Sequence, residues 1–365
     1  MNTAGTNNNP TPSTDGRQFS GLVWKIFLPV AIGLGVVVWL FHREFNPQVW
    51  NSIHFDGHVI GCIFLAWMFM LGRDFGLTWR FRALTDHQLS WRKALKVDML
   101  CEFTSCVTPS AVGGSAFGMI YLNREGIELG RATTLMMTTL FLDELFFVLS
   151  IPVIVLLVPY DELFDFGHGS FTVGLQSVFW IVYAVITLWT AILFLGIIVR
   201  PQAIHRFLNW LFHFRWLRRW APAVDRLGQN METTGHDLGK RPLRWWLETF
   251  GATALSWSSR YLVVNALFLG FSPHADQLIV FARQFVVWVC LMVSPTPGSA
   301  GISEWLFTTY YGDLIHNAGI ALIIALFWRI ISYYVYLFVG ACILPSWIRK
   351  NLRSKKSQKK LTETK

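Results

Sequence analysis

Charged residues are scarce in this chain of 365 residues, since Asp, Glu, Lys and Arg together make up only 15% of it. Soluble domains carry about a quarter, so the deficit argues against an ordinary soluble domain. Hydrophobic residues reach 53%, with 18 Trp and 30 Phe. Aromatic side chains in such numbers are typical of the interfacial belts of membrane proteins. The composition therefore predicts a protein embedded in a membrane.

Clusters of metal-binding residues are also missing from the sequence. The five cysteines form no CxxC pair, and the ten histidines are scattered. We therefore expect no metal site, no cofactor and no disulfide framework. The cysteines fall in or beside apolar stretches and are expected to be small buried hydrophobes. They are Cys62, Cys101, Cys106, Cys290 and Cys342.

The first residues lack the order of a signal peptide, in which a basic segment precedes an apolar one and a small-residue cleavage site. Residues 1–20 are rich in Asn, Thr, Pro and Gly and are predicted to be a disordered tail. We predict one transmembrane domain over residues 21–345, followed by a short basic tail over residues 346–365.

Six apolar stretches are predicted to cross a hydrocarbon core of about 30 Å. One of them joins the short run Val59–Leu71 to its polar flank, Ile53–His58. The other five need no such extension and are Leu22–Phe41, Ala132–Val158, Val173–Val199, Trp245–Phe271 and Ala318–Leu344.

Two further apolar regions, Cys101–Tyr121 and Leu278–Tyr311, are interrupted by Pro and Gly. Such breaks leave backbone amides that lipid cannot satisfy, so the backbone must be buried in protein or line a wet cavity. We predict that each region is a re-entrant broken hairpin. The predicted fold is thus an all-α integral membrane protein with about six full crossings and two re-entrant hairpins in inverted orientation.

The positions of Lys and Arg predict the orientation. If both hairpins are re-entrant, 27 of the 31 basic residues group on one face, and Arg43 alone lies opposite. The acidic stretch 160–165 falls on that opposite face. The positive-inside rule then places both termini in the cytoplasm, and we predict a multi-pass protein of the bacterial inner membrane.

The net charge of +9 is explained by this topology, so we expect no nucleic-acid partner. The basic segment 201–242 alternates aromatic and basic residues. It is predicted either to be an amphipathic helix on anionic lipid headgroups at the cytoplasmic face, or to be a helix that caps the cytoplasmic end of the bundle. A homodimer is compatible with the sequence.

The two hairpin interruptions, Thr108–Ser115 and Thr296–Ser303, share a pattern: Thr-Pro, a Gly four residues after the Pro, and a Ser two residues later. Similar sequence in opposite orientation is typical of an inverted repeat with a site near the midplane. Exposed amides, short hydroxyls and helix starts at the tips could hold a phosphate, or the small residues could simply allow close packing. The candidate substrate-binding residues are Thr108, Pro109, Gly113, Gly114, Ser115, Thr296, Pro297, Gly301 and Ser303.

Ionisable residues inside predicted spans complete the candidate site. They either pair with one another, or the arginines bind a lipid phosphate while a carboxylate couples to protons or to a cationic group. Arg73 and Asp74 are predicted to anchor the end of a span at the membrane interface instead. The intramembrane candidates are Asp143, Glu144, Arg260, Arg283, Glu304 and Arg329.

Several of these segments together resemble a known family. The segments are Pro109-x-x-x-Gly113-Gly114, Tyr121-Leu122-x-x-Glu125-Gly126, Ser294-Pro295-x-Pro297-Gly298-x-x-Gly301-x-x-Glu304 and Trp328-Arg329-Ile330. The sequence resembles the lysylphosphatidylglycerol synthase transmembrane family, also called flippase-like, over about Lys25 to Leu344. The resemblance implies a role in moving or modifying membrane lipids.

The chain departs from that family in two features. Only a short basic tail follows Leu344, so we expect no aminoacyl-transfer domain of the kind that many relatives have. Ser115 and Ala116 stand where many relatives have Glu or Gln. The sequence predicts a lipid transporter that moves an anionic lipid, either a phospholipid or a polyprenyl phosphate, between leaflets. The alternatives are a membrane-embedded transferase and a scaffold for a partner enzyme. No catalytic residue is predicted, because no acid/base pair has convincing spacing.

Overall fold

The computed structural model describes residues 55–108, 112–164, 170–203, 206, 210, 221–294, 296, 299, 301–315, 318–344 and 347. Regular structure in these ranges is entirely helical. The predicted crossing Leu22–Phe41 and the two predicted tails lie outside them, apart from Trp347. The all-α prediction is confirmed for the described part of the chain.

Eleven α-helices are described in these ranges. The first five are α1 (Gly57–Leu84), α2 (Trp91–Val107), α3 (Val112–Arg124), α4 (Leu129–Leu157) and α5 (Tyr160–Leu163). The others are α6 (Ser170–Phe194), α7 (Ala221–Gly239), α8 (Leu243–Phe271), α9 (Gln277–Met292), α10 (Ile302–Tyr310) and α11 (Ala318–Arg329). A π-helical turn follows α6 at Leu195–Val199 and another follows α11 at Ile330–Tyr334.

Four described helical stretches are long and apolar enough to cross a membrane, and each corresponds to a predicted crossing. They are Gly57–Leu84, Leu129–Leu157, Gly174–Val199 and Gly319–Leu344. Helix α8 covers the fifth predicted crossing with 29 residues. It is not among the four, and it carries Arg244, Glu248 and Arg260 along its length.

Helix α1 is much longer than its apolar sequence indicates. The apolar run ends at Leu71, but the helix continues to Leu84. Arg73 and Arg80, which the sequence places in the basic face, therefore lie within this helix and are buried. The prediction that Arg73 anchors a span at the interface is wrong, because its side chain is only 2% exposed and is surrounded by protein.

Helices α1 and α8 pack closely through small residues. A methyl group added at Gly76 would come within 2.8 Å of the carbonyl oxygen of Ala252, and one at Gly72 within 3.2 Å of Oγ of Ser259. Small residues allow the backbones of membrane helices to approach in this way. The pair brings Arg73 and Arg80 of α1 next to the middle of α8.

The order long, short, short, long occurs twice along the chain, as α1 to α4 and as α8 to the span that contains α11. At 1.5 Å per residue the short helices α2, α3, α9 and α10 are about 14 to 26 Å long, which is less than the hydrocarbon core of about 30 Å. Their re-entrant placement, their inverted relation and the total of six crossings remain predictions.

Helix α7 lies against the start of α4. The amide Nδ2 of Asn230 donates a hydrogen bond to Oε1 of Glu128 at 2.5 Å, and a methyl group at Gly130 would collide with the Asn230 side chain. The helix carries more acidic than basic residues. Its position favours a cap on the bundle end for this part of the segment 201–242, most of whose first half is outside the described residues.

Candidate functional site

A cavity of about 280 Å³ lies between α1, α2, α3, α4, α8, α9 and the last span. Residues of both predicted hairpins line it, including Ser105 and Gly114 of the first and Met292 and Ser299 of the second. Four arginines and four carboxylic acids also line it. They are Arg73, Arg80, Arg260 and Arg329 together with Asp98, Glu102, Asp143 and Glu144.

Arg73 is held by two carboxylates and an aromatic ring. Its Nη1 lies 2.9 Å from Oδ1 of Asp74 and its Nη2 lies 2.5 Å from Oε1 of Glu102. The guanidinium stacks 4.9 Å from the ring centre of Tyr336, whose hydroxyl donates to Asp74 at 2.7 Å. Two acids therefore balance this buried cation, which is what a charge inside protein requires.

Arg80 and Asp143 form a second compensated pair. Nη1 and Nη2 of Arg80 donate to the two carboxylate oxygens of Asp143 at 2.5 and 3.2 Å. The indole N–H of Trp257 also donates to Asp143, at 2.8 Å. These bonds join α1, α4 and α8 on one wall of the cavity, so Asp143 is part of the wall and its charge is already paired.

Arg329 and Glu304 form a third pair, in which Nε of Arg329 lies 2.8 Å from Oε1 of Glu304. Oε2 of Glu304 accepts from the backbone N–H of Gly301 at 2.7 Å and from the hydroxyl of Ser303 at 2.8 Å. The arginine also stacks 4.0 Å from the ring centre of Tyr333. Glu304 is not among the cavity-lining residues, because its carboxylate turns back to cap the start of α10.

Arg260 differs from these three arginines. It lines the cavity from the middle of α8 and stacks 5.5 Å from the ring centre of Trp257. No carboxylate of the described residues lies within ion-pair distance of its guanidinium. The charge of Glu102 acts on it from farther away, and Arg73 opposes that attraction. Among the arginines that line the cavity, Arg260 is therefore the one without an ion pair to a described carboxylate.

Two lining carboxyl groups have unsatisfied oxygens. Asp98 on α2 is 1% exposed and Glu144 on α4 is 8% exposed. Oδ2 of Asp98 and Oε2 of Glu144 accept no hydrogen bond from the described residues. Buried polar atoms are normally satisfied, so these oxygens mark positions where the cavity can hold a ligand atom, a proton or a water.

Of the described candidate residues of the first predicted tip, one lines the cavity and another does not. Gly114 lines it, and Thr108 instead donates its hydroxyl to the carbonyl of Thr104 at 2.6 Å. Pro109 lies outside the described residues, and Gly113 and Ser115 lie in α3 with no description of their surroundings. Direct binding by these three residues stays a prediction.

The second predicted tip is mostly structural. Gly301 has φ of +84° and precedes α10, and Ser303 is fully buried with its hydroxyl on Glu304. The hydroxyl of Thr296 lies 3.2 Å from that of Ser294. None of these is a cavity-lining residue, and Pro297 lies outside the described residues. Ser299 is the tip residue that reaches the cavity.

Arg283 does not line the cavity. Its guanidinium donates to both carboxylate oxygens of Asp313 at 2.5 and 2.7 Å and to the carbonyl of Tyr310 at 2.8 Å. It also donates to the carbonyl of Glu162 at 2.7 and 3.1 Å. Its candidate role in substrate binding is not supported, because these bonds tie together the loops at one end of the bundle.

Sequence reasoning missed four of the charged lining residues as members of the site. Arg73 was expected at the interface, and Arg80, Asp98 and Glu102 were not singled out. The sequence did contain one indication of this. Arg73 and Arg80 are seven residues apart, which is about two turns of a helix, so both lie on one face of α1.

The chain is similar to known membrane proteins over most of its length. A family described as the lysylphosphatidylglycerol synthase TM region matches residues 26–340. A relative described as a UPF0104 membrane protein from Archaeoglobus fulgidus is 24% identical over 325 residues, which cover 86% of this chain and 94% of the relative. No solved structure matches. The resemblance drawn from the hairpin motifs is confirmed, and the chain belongs to the lysylphosphatidylglycerol synthase transmembrane family.

Proposed function

We propose that the protein moves an anionic lipid between the leaflets of the membrane, with the lipid phosphate bound in the cavity at Arg260. The observation that carries the proposal is that Arg260, a half-buried arginine, has no carboxylate partner among the described residues and lines a cavity to which residues of both predicted hairpins contribute. A guanidinium in such a place is costly unless a counter-charge reaches it. Phosphate suits it, because the planar guanidinium can donate two parallel hydrogen bonds.

The apolar part of the lining supports a lipid ligand. Trp257, Tyr261 and Trp288 from α8 and α9 face the cavity along with Val287 and Leu291. Aromatic and aliphatic side chains beside a few polar groups are what ligand pockets generally contain. A headgroup at Arg260 with its glycerol or prenyl end against this wall would satisfy both kinds of surface.

Family membership supports a lipid-related role in general, and the transport step is our inference. The two other candidate functions, a transferase and a scaffold, remain open. A transferase would need a nucleophile or base next to a donor site. A scaffold would leave the unpaired Arg260 without a purpose. We place the protein in the bacterial inner membrane with cytoplasmic termini, as the charge distribution predicts.

The test is lipid transfer by purified protein in vesicles of phosphatidylcholine that contain a trace of fluorescent phosphatidylglycerol. We expect the protein to accelerate the movement of the label between leaflets. Arg260→Gln should weaken phosphatidylglycerol binding and transport by about tenfold or more, because a hydrogen bond to a charged group contributes about 1.5–3 kcal/mol. Arg260→Lys keeps the charge and should be affected less.

A matched control comes from Arg92, which is exposed at the start of α2 and outside the cavity. Arg92→Gln removes the same charge and should transport like the wild type. If Arg260→Gln also binds and transports like the wild type, the phosphate is not at Arg260. If the wild-type protein moves no label above protein-free vesicles, the transport proposal itself fails.

A further inference from the structure

Glu144 is a carboxyl group of the cavity lining that forms no ion pair with the residues that the structure describes. It lies in the middle of α4, is 8% exposed, and its Oε2 accepts no hydrogen bond from any described residue. The carboxylates of Glu102 and Asp143 form ion pairs with Arg73 and Arg80. Glu144 has no such pair with a described residue.

Helices α1, α4, α8 and α9 contribute the polar groups around Glu144. Asp143 precedes it on α4, and its negative charge acts on Glu144 although Arg80 of α1 binds it. On α8, Tyr261 is the ionisable neighbour, and Arg260 lines the same cavity. Helix α9 contributes the uncharged Gln284 to the lining. Helices α3, α6 and α7, which also pack against α4, add no charged residue to the cavity lining.

Tyr261 adds a second unsatisfied atom at the same place. Its side chain is 2% exposed, and its hydroxyl oxygen has no hydrogen-bond partner among the described residues. Glu144 and Tyr261 are close enough for the charge of the first to act on the second. Glu144 and Tyr261 lie on different helices, and both have a buried polar atom without a partner among the described residues. A site that binds a proton and releases it to water would explain why these atoms are unsatisfied.

We propose that Glu144 is a proton-binding site that couples lipid movement to proton movement, and this proposal rests on the transport function proposed above. Burying a carboxylate without a cation is unfavourable, so in this proposal Glu144 rests in the cavity as the neutral acid. A lipid phosphate bound at Arg260 adds negative charge to the same cavity and favours the neutral acid further.

The coupled step is balanced in atoms and charge. On the loading side, a proton from water forms an O–H bond with Glu144 as the singly charged lipid anion enters the cavity. On the release side, the O–H bond breaks, the proton returns to water and the lipid leaves. One proton then moves with each anionic lipid, so the cycle carries no net charge across the membrane.

Asp98 is a weaker candidate for this role. Its Oδ2 is also unsatisfied, but the positive charges of Arg73 and Arg80 act on it. Its charged form therefore has nearby compensation, which Glu144 lacks.

The first experiment measures the proton directly and does not depend on transport. Infrared difference spectra of the purified full-length protein in detergent, recorded as the pH is changed, should show the stretch of a buried protonated carboxyl group. Glu144→Gln should remove that band. Asp161→Asn, which removes an exposed carboxyl from α5 outside the cavity, should retain it. An unchanged band in Glu144→Gln overturns the proposal.

The second experiment uses the same vesicles of phosphatidylcholine with fluorescent phosphatidylglycerol under an imposed pH gradient. With one proton per lipid, the ratio of label between leaflets should shift by about tenfold per pH unit, and a membrane potential should not change it. Glu144→Gln should abolish the response to pH, and Asp161→Asn should keep it.

The outcomes separate the two proposals. Wild-type protein that moves lipid with no response to the gradient, or that responds to Na⁺ at constant pH instead, overturns the coupling and leaves transport standing. Wild-type protein that moves no lipid overturns the transport and the coupling together. In that case the infrared band still decides whether Glu144 binds a proton.

Discussion

The two hairpin tips have similar sequences but hold their shape by different means. In the first, α3 is pressed onto α2, so that a methyl group at Gly114 would lie 2.7 Å from the carbonyl oxygen of Cys101. In the second, Gly301 adopts φ of +84°, and Glu304 bonds back to its N–H at 2.7 Å. Gly114, the residue after the shared glycine of the first tip, therefore allows close packing, whereas Gly301, the shared glycine of the second tip, allows an unusual backbone angle.

The tips also differ in charge. Glu304 follows the second tip and is paired with Arg329 in the last span. The corresponding stretch of the first tip has Ser115 and Ala116 in place of a carboxylate. The second predicted hairpin is thus joined to the last span by a buried ion pair that the first has no carboxylate to form at the corresponding position. Both predicted hairpins contribute residues to the cavity wall, among them Ser105 and Gly114 of the first and Met292 and Ser299 of the second.

The largest expected difference between the two hairpins is the side of the membrane from which each one enters. Each hairpin should begin and end on its own side of the membrane. On a cysteine-free background, Gln88→Cys and Asn123→Cys flank the first hairpin, and His274→Cys and Gly312→Cys flank the second. We expect an impermeant thiol reagent outside the cell to label the second pair fully and the first pair only after the membrane is opened. Labelling of Gln88→Cys and Asn123→Cys from opposite sides would exclude a re-entrant first hairpin.

Loss of the buried ion pair should cost the next largest amount. Glu304→Ala leaves the guanidinium of Arg329, which is 5% exposed, without its carboxylate. Breaking a buried pair in this way costs about 3–5 kcal/mol, and it also removes the hydrogen bonds to Gly301 and Ser303. Unfolding of the purified protein by heat or denaturant in detergent measures the loss.

The control for Glu304 is a carboxylate at the end of the first hairpin. Glu125 pairs at 3.4 Å with Lys96 and at 3.5 Å with Lys93, both of which are partly or largely exposed. Such a pair contributes at most about 1 kcal/mol, so Glu125→Ala should remain nearly as stable as the wild type. Equal losses for both variants would show that the pair with Arg329 has no special weight in the second hairpin.

The fold was predictable from the sequence where apolar length alone determines it. Four predicted crossings coincide with helices that are long and apolar enough to span. The extension of α1 beyond Leu71 was not predictable in this way, because Arg73, Asp74 and Arg80 look like residues at a membrane surface. Their burial depends on Glu102 of α2 and on Asp143 of α4, and sequence spacing does not show that these helices meet.

The sequence predicted several of the ionisable residues that belong to the candidate site, but it did not predict which of them form ion pairs. Asp143, Glu144, Arg260 and Arg329 all line the cavity, and each had been singled out as an ionisable residue inside a span. Arg283 had the same sequence signature but is bound by Asp313 and backbone carbonyls. Only the three-dimensional pairing separates an arginine that is already neutralised from Arg260, whose charge is still available.

The smallest expected effect concerns the backbone of the second tip. From the sequence, a bulky residue at Gly301 would be expected to block the cavity without loss of folded protein. The structure indicates the reverse order of effects, because Gly301 does not line the cavity and has φ of +84°. With φ of +84° and ψ of −47°, Gly301 lies in a region that L-residues rarely adopt, at a cost of about 1–3 kcal/mol. Gly301→Ala should therefore lower stability by about that amount. Thermal unfolding of this variant and of the wild type in detergent measures the loss. Full stability of Gly301→Ala together with loss of phosphatidylglycerol transport would contradict this assignment and place Gly301 at the lipid.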